Sequence, residues 1–463
     1  MREPHSAVTA AAAPPAGHVS ASPHGPGLPA VPRLAGFWHV LGPGLLFAGA
    51  AIGVSHLIQS TRAGALHGLA LVPLIVLVHV LKYPALSAGP RYAAATGTSL
   101  LQAYRNQGRH ALIAWLVVLV GTAFTIQAAI SLVTAAVTRV AFGLPADVPL
   151  LWIAVGLQLV SAGLLAAGGF RWLDLAMKLL MVVLAVTTLF AAATQIPALL
   201  APPAGSRPLF DLSVYTSLAS LGFLLALIGW MPAPLDIAVW NSLWSLEKRR
   251  RVGCDALPRT ICLEFVVCYG KCALLAIAFV VLGAALMHRP GIEPADGPAL
   301  AAQVIDLYVA SLGEWGGLSR PLIGVCAFAV MFSTLLTVTD ALPRTAVQTV
   351  RAFATDERRN GAEHGPDLAR RPAYWACLAV LIAAATAIVW GFAGTQRFTA
   401  LVDLATILSF LGTPVLAWFN HRAMHHPGVP AEHRPRPWET ALSWTAIAIF
   451  TLFALVYAWT LVA

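Results

Sequence analysis

Apolar runs of about 20 residues recur along this chain from residue 38 onward, separated by short polar segments. Each run is long enough to cross a bilayer as a helix. Eleven are counted, over 38–63, 68–89, 111–142, 148–168, 173–195, 214–243, 259–287, 319–343, 373–393, 398–420 and 438–461. The third is long enough to include an interfacial turn. An all-α integral membrane domain over 37–463 follows, because a helix satisfies its own backbone groups where no water is available to do so.

Two of the runs are interrupted. The first reads GPGLLFAGAAIGVSHLIQSTRAG and breaks around Gly53, Val54, Ser55 and His56. The sixth reads LGFLLALIGWMPAPLDIAVWNSLW and breaks around Met231, Pro232, Ala233 and Pro234. Such breaks free backbone groups that lipid cannot solvate, so they persist only inside protein or along a wet cavity. Breaks at matching places in two halves point to a transporter's binding site. Their position in spans 1 and 6 predicts a leucine-transporter-like fold: a five-plus-five inverted repeat with an eleventh span appended, and spans 1, 3, 6 and 8 lining the substrate site.

Composition sharpens this picture. Of 463 residues 58% are hydrophobic and only 11% charged, which no soluble domain of this size could keep dry. Residues 1–36 are rich in Ala, Pro, Gly and His and read as a disordered cytoplasmic tail. The net charge of +9 does not imply nucleic acid, because it sits in the short loops. The even-numbered connections carry Arg91, Arg105, Arg109, Lys248 to Arg251, Arg344, Arg351, Arg370, Arg371 and Arg422. The odd-numbered ones carry only a few, such as Arg139, Arg207 and Arg289. The positive-inside rule then places the N-terminus in the cytoplasm and, after an odd number of spans, the C-terminus outside. The expected address is the inner membrane of a bacterium. Met287 to Leu318 is the longest external loop, with a surface helix expected from Pro298 to Leu312 and Asp306 on its polar face. The six cysteines show no zinc-type spacing; Cys268 and Cys272, one helical turn apart, are read as packing residues or as a metal or redox pair. No phosphate-binding loop, nucleophile elbow or zinc-protease motif is present, so no enzyme activity and no cofactor are expected.

Several stretches resemble the Nramp family of proton-coupled divalent-metal transporters. GPGLLFAG over Gly42–Gly49 looks like that family's start of span 1, and TRAGALHGLALVPLIVLV like the end of span 1 and start of span 2. RYAAATGTSLLQAY over Arg91–Tyr104 resembles its approach to span 3, and Met231-Pro232 falls on its span-6 break. The resemblance implies a secondary transporter for a divalent metal, with a coupling proton. The chain departs from the family where that family binds metal. An Asp-Pro-Gly-Asn break is replaced by Gly53, Val54, Ser55 and His56, and the histidine of Met-Pro-His by Ala233. On an ungapped alignment, the family's acidic span-3 positions hold Gln127 and Ile130. The ligand set implied is therefore an altered one.

A thioether and an imidazole suit a transition metal. Met231 and His56, on the two broken segments, are thus the candidate ligands. Backbone carbonyls freed at Gly53 and at Ile228 to Met231 would complete the shell, and Asp236 would supply the missing anionic charge. Each has a plainer reading: packing for Met231, a carbonyl partner for His56, and a cap on the restarted helix for Asp236. Intramembrane charge is functional by default, so other polar positions are candidates for a polar route or for coupling. These are Glu264 and Lys271, seven apart on span 7; Thr337 and Asp340 on span 8; Asp403 on span 10; and Gln127 with Ser131 and Thr134 on span 3. Ser and Thr can equally bond their own helix, and Glu264 can simply pair with Lys271. Arg62 is read as snorkelling to the interface. His421, His425, His426 and His433 are either a metal cluster or solvated. The competing function is a transporter of the same fold for a non-metal small solute, in a neutral pocket around Trp230 and Trp240; a non-transporting membrane sensor is the third.

Overall fold

In the computed structural model the described residues are 43–167, 171–201, 204–252, 258–296, 298–312, 319–354, 371–393, 398–460 and 462. The expected N-terminal tail lies outside them. The compact unit runs from Leu41 to Ala463. Among the described residues nine helices are long and apolar enough to cross a membrane. Two further spans are each built from two shorter helices, which completes the eleven.

Span 1 comprises Pro43–Ala51, a break at 52–54, a π-helical turn over Ser55–Ser60 and a last helix Thr61–His67. Spans 2 to 5 are Val72–Thr96, Arg109–Phe142, Leu150–Ala167 and Arg171–Leu200. Span 6 comprises Leu221–Trp230, a break at 231–236, and Ile237–Val252. Spans 7 to 11 are Pro258–Gly283 with a π turn Ala284–His288, Ser319–Ala354, Pro372–Ala393, Phe398–Met424 and Pro437–Thr460.

Local sequence explains many of these boundaries. Proline opens the helices at Pro43, Pro258, Pro298, Pro372 and Pro437, where its missing N–H costs nothing. Gly97 and Gly143 end spans 2 and 3 with φ of 69° and 61°, the left-handed conformation a side chain resists. Span 3 is one continuous 34-residue helix. The interfacial turn expected within it instead precedes it, as the short helix Leu100–Gln107, whose first turn is capped by the Ser99 hydroxyl. The helix expected in the long connection between spans 7 and 8 forms over Pro298–Leu312, and its exposed Asp306 pairs with Arg320.

The broken spans sit at the centre because small residues let backbones approach closely. A Cβ on Gly64 would lie 2.1 Å from the Val280 carbonyl oxygen, and one on Gly283 2.3 Å from that of Thr61. These reciprocal glycines lock the second half of span 1 to span 7. Gly229 does the same for span 6 against span 10, where a Cβ would lie 2.1 Å from the Thr406 oxygen. Gly89 lets span 2 reach the second half of span 6, 2.1 Å from the Ala238 oxygen on the same measure. Large apolar side chains such as Val117, Trp390 and Leu455 remain exposed on the perimeter, as a lipid-facing surface requires.

Candidate functional site

A cavity lies where the two breaks meet spans 3 and 8. Span 1 contributes Ala50, Ala51, Val54 and Ser55, and span 6 contributes Trp230, Pro234, Ile237 and Trp240. Ile126 and Ile130 close it from span 3, Thr334 and Val338 from span 8. No ionisable side chain lines it. Its polar lining is Ser55, Thr334 and the two indoles, and most of these polar groups are already engaged. Ser55 Oγ donates to the Ala51 carbonyl at 2.7 Å. Thr334 Oγ1 donates to the Gly49 carbonyl, also at 2.7 Å. Trp230 Nε1 donates to Ser409 Oγ at 2.9 Å. The Trp240 indole N–H is buried with no partner.

The span-1 break is closed by its own neighbourhood. The Gly53 carbonyl accepts from the Leu57 N–H at 2.9 Å and the His56 N–H at 3.2 Å, so the helix restart uses it. Gly53 packs tightly on Thr334, whose Oγ1 would lie 2.7 Å from a Cβ there. His56 is fully buried. Its Nδ1 lies 3.0 Å from the Ala51 carbonyl oxygen and 2.8 Å from Ser55 Oγ, and its Nε2 lies 3.0 Å from the Cys272 carbonyl oxygen on span 7. Both ring nitrogens thus face backbone oxygen, and the carbonyl-partner reading of His56 describes its position.

The span-6 break is closed differently. Ile228 would receive the N–H of residue 232 in a continuous helix, but Pro232 has none. In its place the Lys82 ammonium, from span 2, donates to the carbonyl oxygens of Ile228 at 2.6 Å, Gly229 at 2.8 Å and Ala233 at 3.1 Å. Lys82 is completely buried. Asp236 follows at the start of the second half-helix. It makes no ion pair with Lys82 among the described contacts. The backbone N–H groups of Asp236 and Ile237 lie near its carboxyl group, but neither oxygen has a well-formed hydrogen bond.

Neither Met231 nor His56 lines the cavity. Met231 is buried in an apolar cluster with Leu71, Ile75, Leu224, Leu227 and Val280, and His56 is committed to span 7. The structure does not gather the two around a common point on the cavity. Ile228 does offer its carbonyl, to Lys82. Among the described residues no group of three or more His, Cys, Asp or Glu could hold a metal ion.

The polar-route candidates are also placed. Gln127 is buried and donates to Thr339 Oγ1 at 2.9 Å and Gln158 Oε1 at 3.4 Å, tying span 3 to spans 8 and 4. Thr337 donates to its own helix at Ser333, 2.8 Å. Asp340 accepts from Arg344 Nη2 at 2.9 Å and from the Tyr374 hydroxyl at 2.7 Å, so it links spans 8 and 9. Glu264 is buried against Gly44 and Lys271 is half-buried. Asp403 pairs with Arg62 at 2.9 Å, and Gln59 donates to the same carboxylate at 2.9 Å. Arg62 also lies over the Phe223 ring, 5.3 Å from its centroid. Arg62 therefore ties span 1 to spans 6 and 10 rather than snorkelling. His421 and His425 stack 4.2 Å apart and bond to Ser443 and Thr440 of span 11, which pins span 10 to span 11. Cys268 and Cys272 are both buried, and neither is in a disulfide.

Sequence reasoning passed over Lys82. The signal was present, since a lysine inside an apolar span needs a buried partner.

No family model matches the chain. It is 34% identical over 431 residues to the uncharacterized protein PM0681 of Pasteurella multocida, covering 91% of this chain and 93% of that one. It is 24% identical over 415 residues to the divalent metal cation transporter MntH of Agrobacterium fabrum, covering 87% and 83%. Among solved structures it is similar to the Eremococcus coleocola manganese transporter in complex with an aromatic bis-isothiourea substituted compound. The TM-score is 0.63 with 17% identity, over 92% of this chain and 88% of that one. MhsT in complex with L-phenylalanine gives a TM-score of 0.57 with 15% identity, over 89% and 96%. Fold and broken helices together place the chain in the leucine-transporter-like fold: all-α, multi-pass, with spans 1 and 6 discontinuous. The chain belongs to the family of the Pasteurella multocida protein PM0681.

Proposed function

We propose that this protein is a secondary transporter whose substrate occupies the cavity between spans 1, 3, 6 and 8, and that the substrate is a small uncharged solute with an apolar body. The observation that carries this reading is the lining itself: apolar and aromatic side chains, no ionisable group, and one unpartnered donor at Trp240. Such a surface gains from burying apolar area. A dication there would have no compensating charge. The Trp240 N–H is the group that would orient a substrate acceptor.

A second reading, a divalent-metal carrier with an altered ligand set, is favoured by the likeness to MntH and to the manganese transporter. On that reading the chain is a divergent Nramp relative, and Asp236, whose buried carboxylate lacks a firm partner, is the residue to bind or balance the metal. In either case the Arg62–Asp403 pair and the Asp340–Arg344–Tyr374 network are the contacts to be broken and remade as the cavity opens to one side and then the other. The expected orientation has the N-terminus in the cytoplasm, and a coupling proton would use residues other than the Nramp positions, which here hold Gln127 and Ile130.

The test is uptake into proteoliposomes, comparing Mn²⁺, Fe²⁺, Co²⁺, Zn²⁺ and Mg²⁺ with a panel of small neutral solutes. The neutral-solute reading expects saturable solute uptake, lowered at least about tenfold by Trp240→Phe and unchanged by Met231→Ala; one lost hydrogen bond of this kind is worth about 1.4 kcal/mol. Saturable metal uptake abolished by Asp236→Asn would establish the metal reading in its place.

A further inference from the structure

The contacts of Lys82 carry an inference that does not depend on which solute is transported. An ammonium has three N–H donors and no acceptor. Here all three are matched by backbone carbonyls, those of Ile228, Gly229 and Ala233. The three oxygens converge because helix Leu221–Trp230 ends without successor donors. Pro232 lacks an N–H, and the Ile237 N–H turns to the Pro234 carbonyl at 3.3 Å, leaving Ala233 free to face Lys82. The Met231 N–H closes the last regular turn onto Leu227 at 3.1 Å. Asp236, further along the same break, has no hydrogen-bond partner at either carboxyl oxygen and does not compete with the carbonyls for the ammonium. The facing neighbour on the lysine's own helix is His79, whose Nδ1 bonds the Ile75 carbonyl at 2.7 Å.

We infer that the span-6 break is a cation site specific for a primary ammonium group, and that the chain supplies its own occupant through Lys82. Backbone carbonyls freed where a helix is interrupted are the groups by which discontinuous helices hold a dissociable cation. Here the cation is covalently tethered to span 2, so it is never released. Its consequence for selectivity is direct. A free inorganic cation has to displace a tethered ammonium from oxygens it already satisfies, and those three carbonyls are thereby closed to it. Span 6 is also fastened to span 2 through a contact that no change in the ionic medium can empty.

Removing the tether should leave a site that a soluble ammonium can fill. Lys82→Ala protein, purified in detergent, is compared with wild type by thermal unfolding in n-butylammonium chloride, methylammonium chloride, tetramethylammonium chloride and sodium chloride at equal ionic strength. The variant is expected to melt lower than wild type. Its midpoint should recover by at least about 2 °C, saturably, in n-butylammonium. Methylammonium should act more weakly because it fills less of the vacated channel. Tetramethylammonium, which has no N–H, and sodium should have no specific effect, and wild type should respond to none of the four. Equal responses to all salts, or an equal response of wild type, would overturn the inference. Lys82→Ala/Asp236→Asn removes both charges and repeats the comparison in a background without an uncompensated carboxylate; absence of n-butylammonium stabilisation there would likewise overturn it. Should neither variant withstand solubilisation, both are solubilised in n-butylammonium throughout, and failure to recover folded protein under that condition also counts against the inference. A transporter that moves no neutral solute would leave these outcomes unaffected, so the two readings fail separately.

Discussion

The two helix breaks solve one problem in opposite ways. At span 1 the carbonyls that lose their helical donors are met by neutral groups close at hand: Ser55 and His56 reach back to Ala51, and Thr334 of span 8 reaches Gly49. At span 6 they are met by a single formal charge brought from span 2. Proline explains the difference. Gly53 keeps its N–H and bonds Ala51 at 3.0 Å, so the span-1 break stays partly self-sufficient, whereas Pro232 and Pro234 delete two donors within three residues. A neutral break can flex as its hydrogen bonds exchange. One closed by a buried ammonium is held at three points at once, and charge-assisted bonds are roughly twice as strong as neutral ones. The cavity between them is consequently walled by one adaptable and one fixed segment.

The comparison breaks most severely at Lys82. Lys82→Met keeps the length and apolar stem of the side chain but strands three buried carbonyls, each costing about 1–3 kcal/mol when unsatisfied. Loss of stability on the order of 3 kcal/mol or more is expected by denaturant or thermal unfolding, together with loss of uptake. A loss no larger than that of the neutral changes below would show that the charge is not what fixes this break.

The next effect distinguishes the glycines of the two breaks. Gly229→Ala forces a methyl to within 2.1 Å of the Thr406 carbonyl oxygen, which is backbone and cannot rotate away. Spans 6 and 10 must separate, at about 1–3 kcal/mol. Gly53→Ala meets the Thr334 hydroxyl at 2.7 Å, which can turn aside at the loss of its bond to Gly49, so about 1 kcal/mol is expected. Parallel unfolding curves of the two variants rank them; the reverse order would contradict the assignment of the fixed and adaptable walls. Thr334→Val tests the adaptable wall from its other side and should cost a similar ~1 kcal/mol.

The spans and both breaks were legible in the sequence because they depend on run length and on Gly and Pro, which act locally. The aromatic wall was legible too: Trp230 and Trp240 flank a break, and both line the cavity. What was not legible is where side chains point once a helix stops. Within a helix, residues three or four apart share a face, and that rule placed Gln127 on a buried, bonded face of span 3. Across the breaks the rule lapses. Met231 and His56 were paired because both sit at breaks, yet one turns into an apolar cluster and the other toward Cys272. Lys82 was missed for a related reason. Its partners lie 146 to 151 residues away, and nothing in HVLKYP names them. Arg62 and Asp403 were each seen as isolated charges for the same reason.

The smallest effect concerns the ends of the restarted helices. The second half of span 1 is short, and its last residue, His67, is tied to the segment that precedes span 6. His67 Nδ1 lies 3.2 Å from Asp211 Oδ2, and the Leu69 N–H donates to Leu209 at 2.8 Å. The Asp211 carboxyl lies outside the spans. Bonds from Ser213 and the neighbouring His67 hold it below the usual carboxylate range. A carboxyl depressed in the folded state contributes stability above its unfolded pKa of about 3.9 and loses it as pH falls through the folded value. Asp211→Asn should therefore lower the melting temperature slightly at pH 6, and the difference should shrink as pH falls below about 3.9. The group is partly exposed and screened, so a difference of only a few tenths of a kcal/mol is expected. The measurement is melting temperature against pH in buffers of constant ionic strength. Curves that stay parallel down to pH 3 would show that the charge of Asp211 does not hold this end of span 1, leaving its anchorage to the backbone bond at Leu69 and to the Gly64–Gly283 contact with span 7.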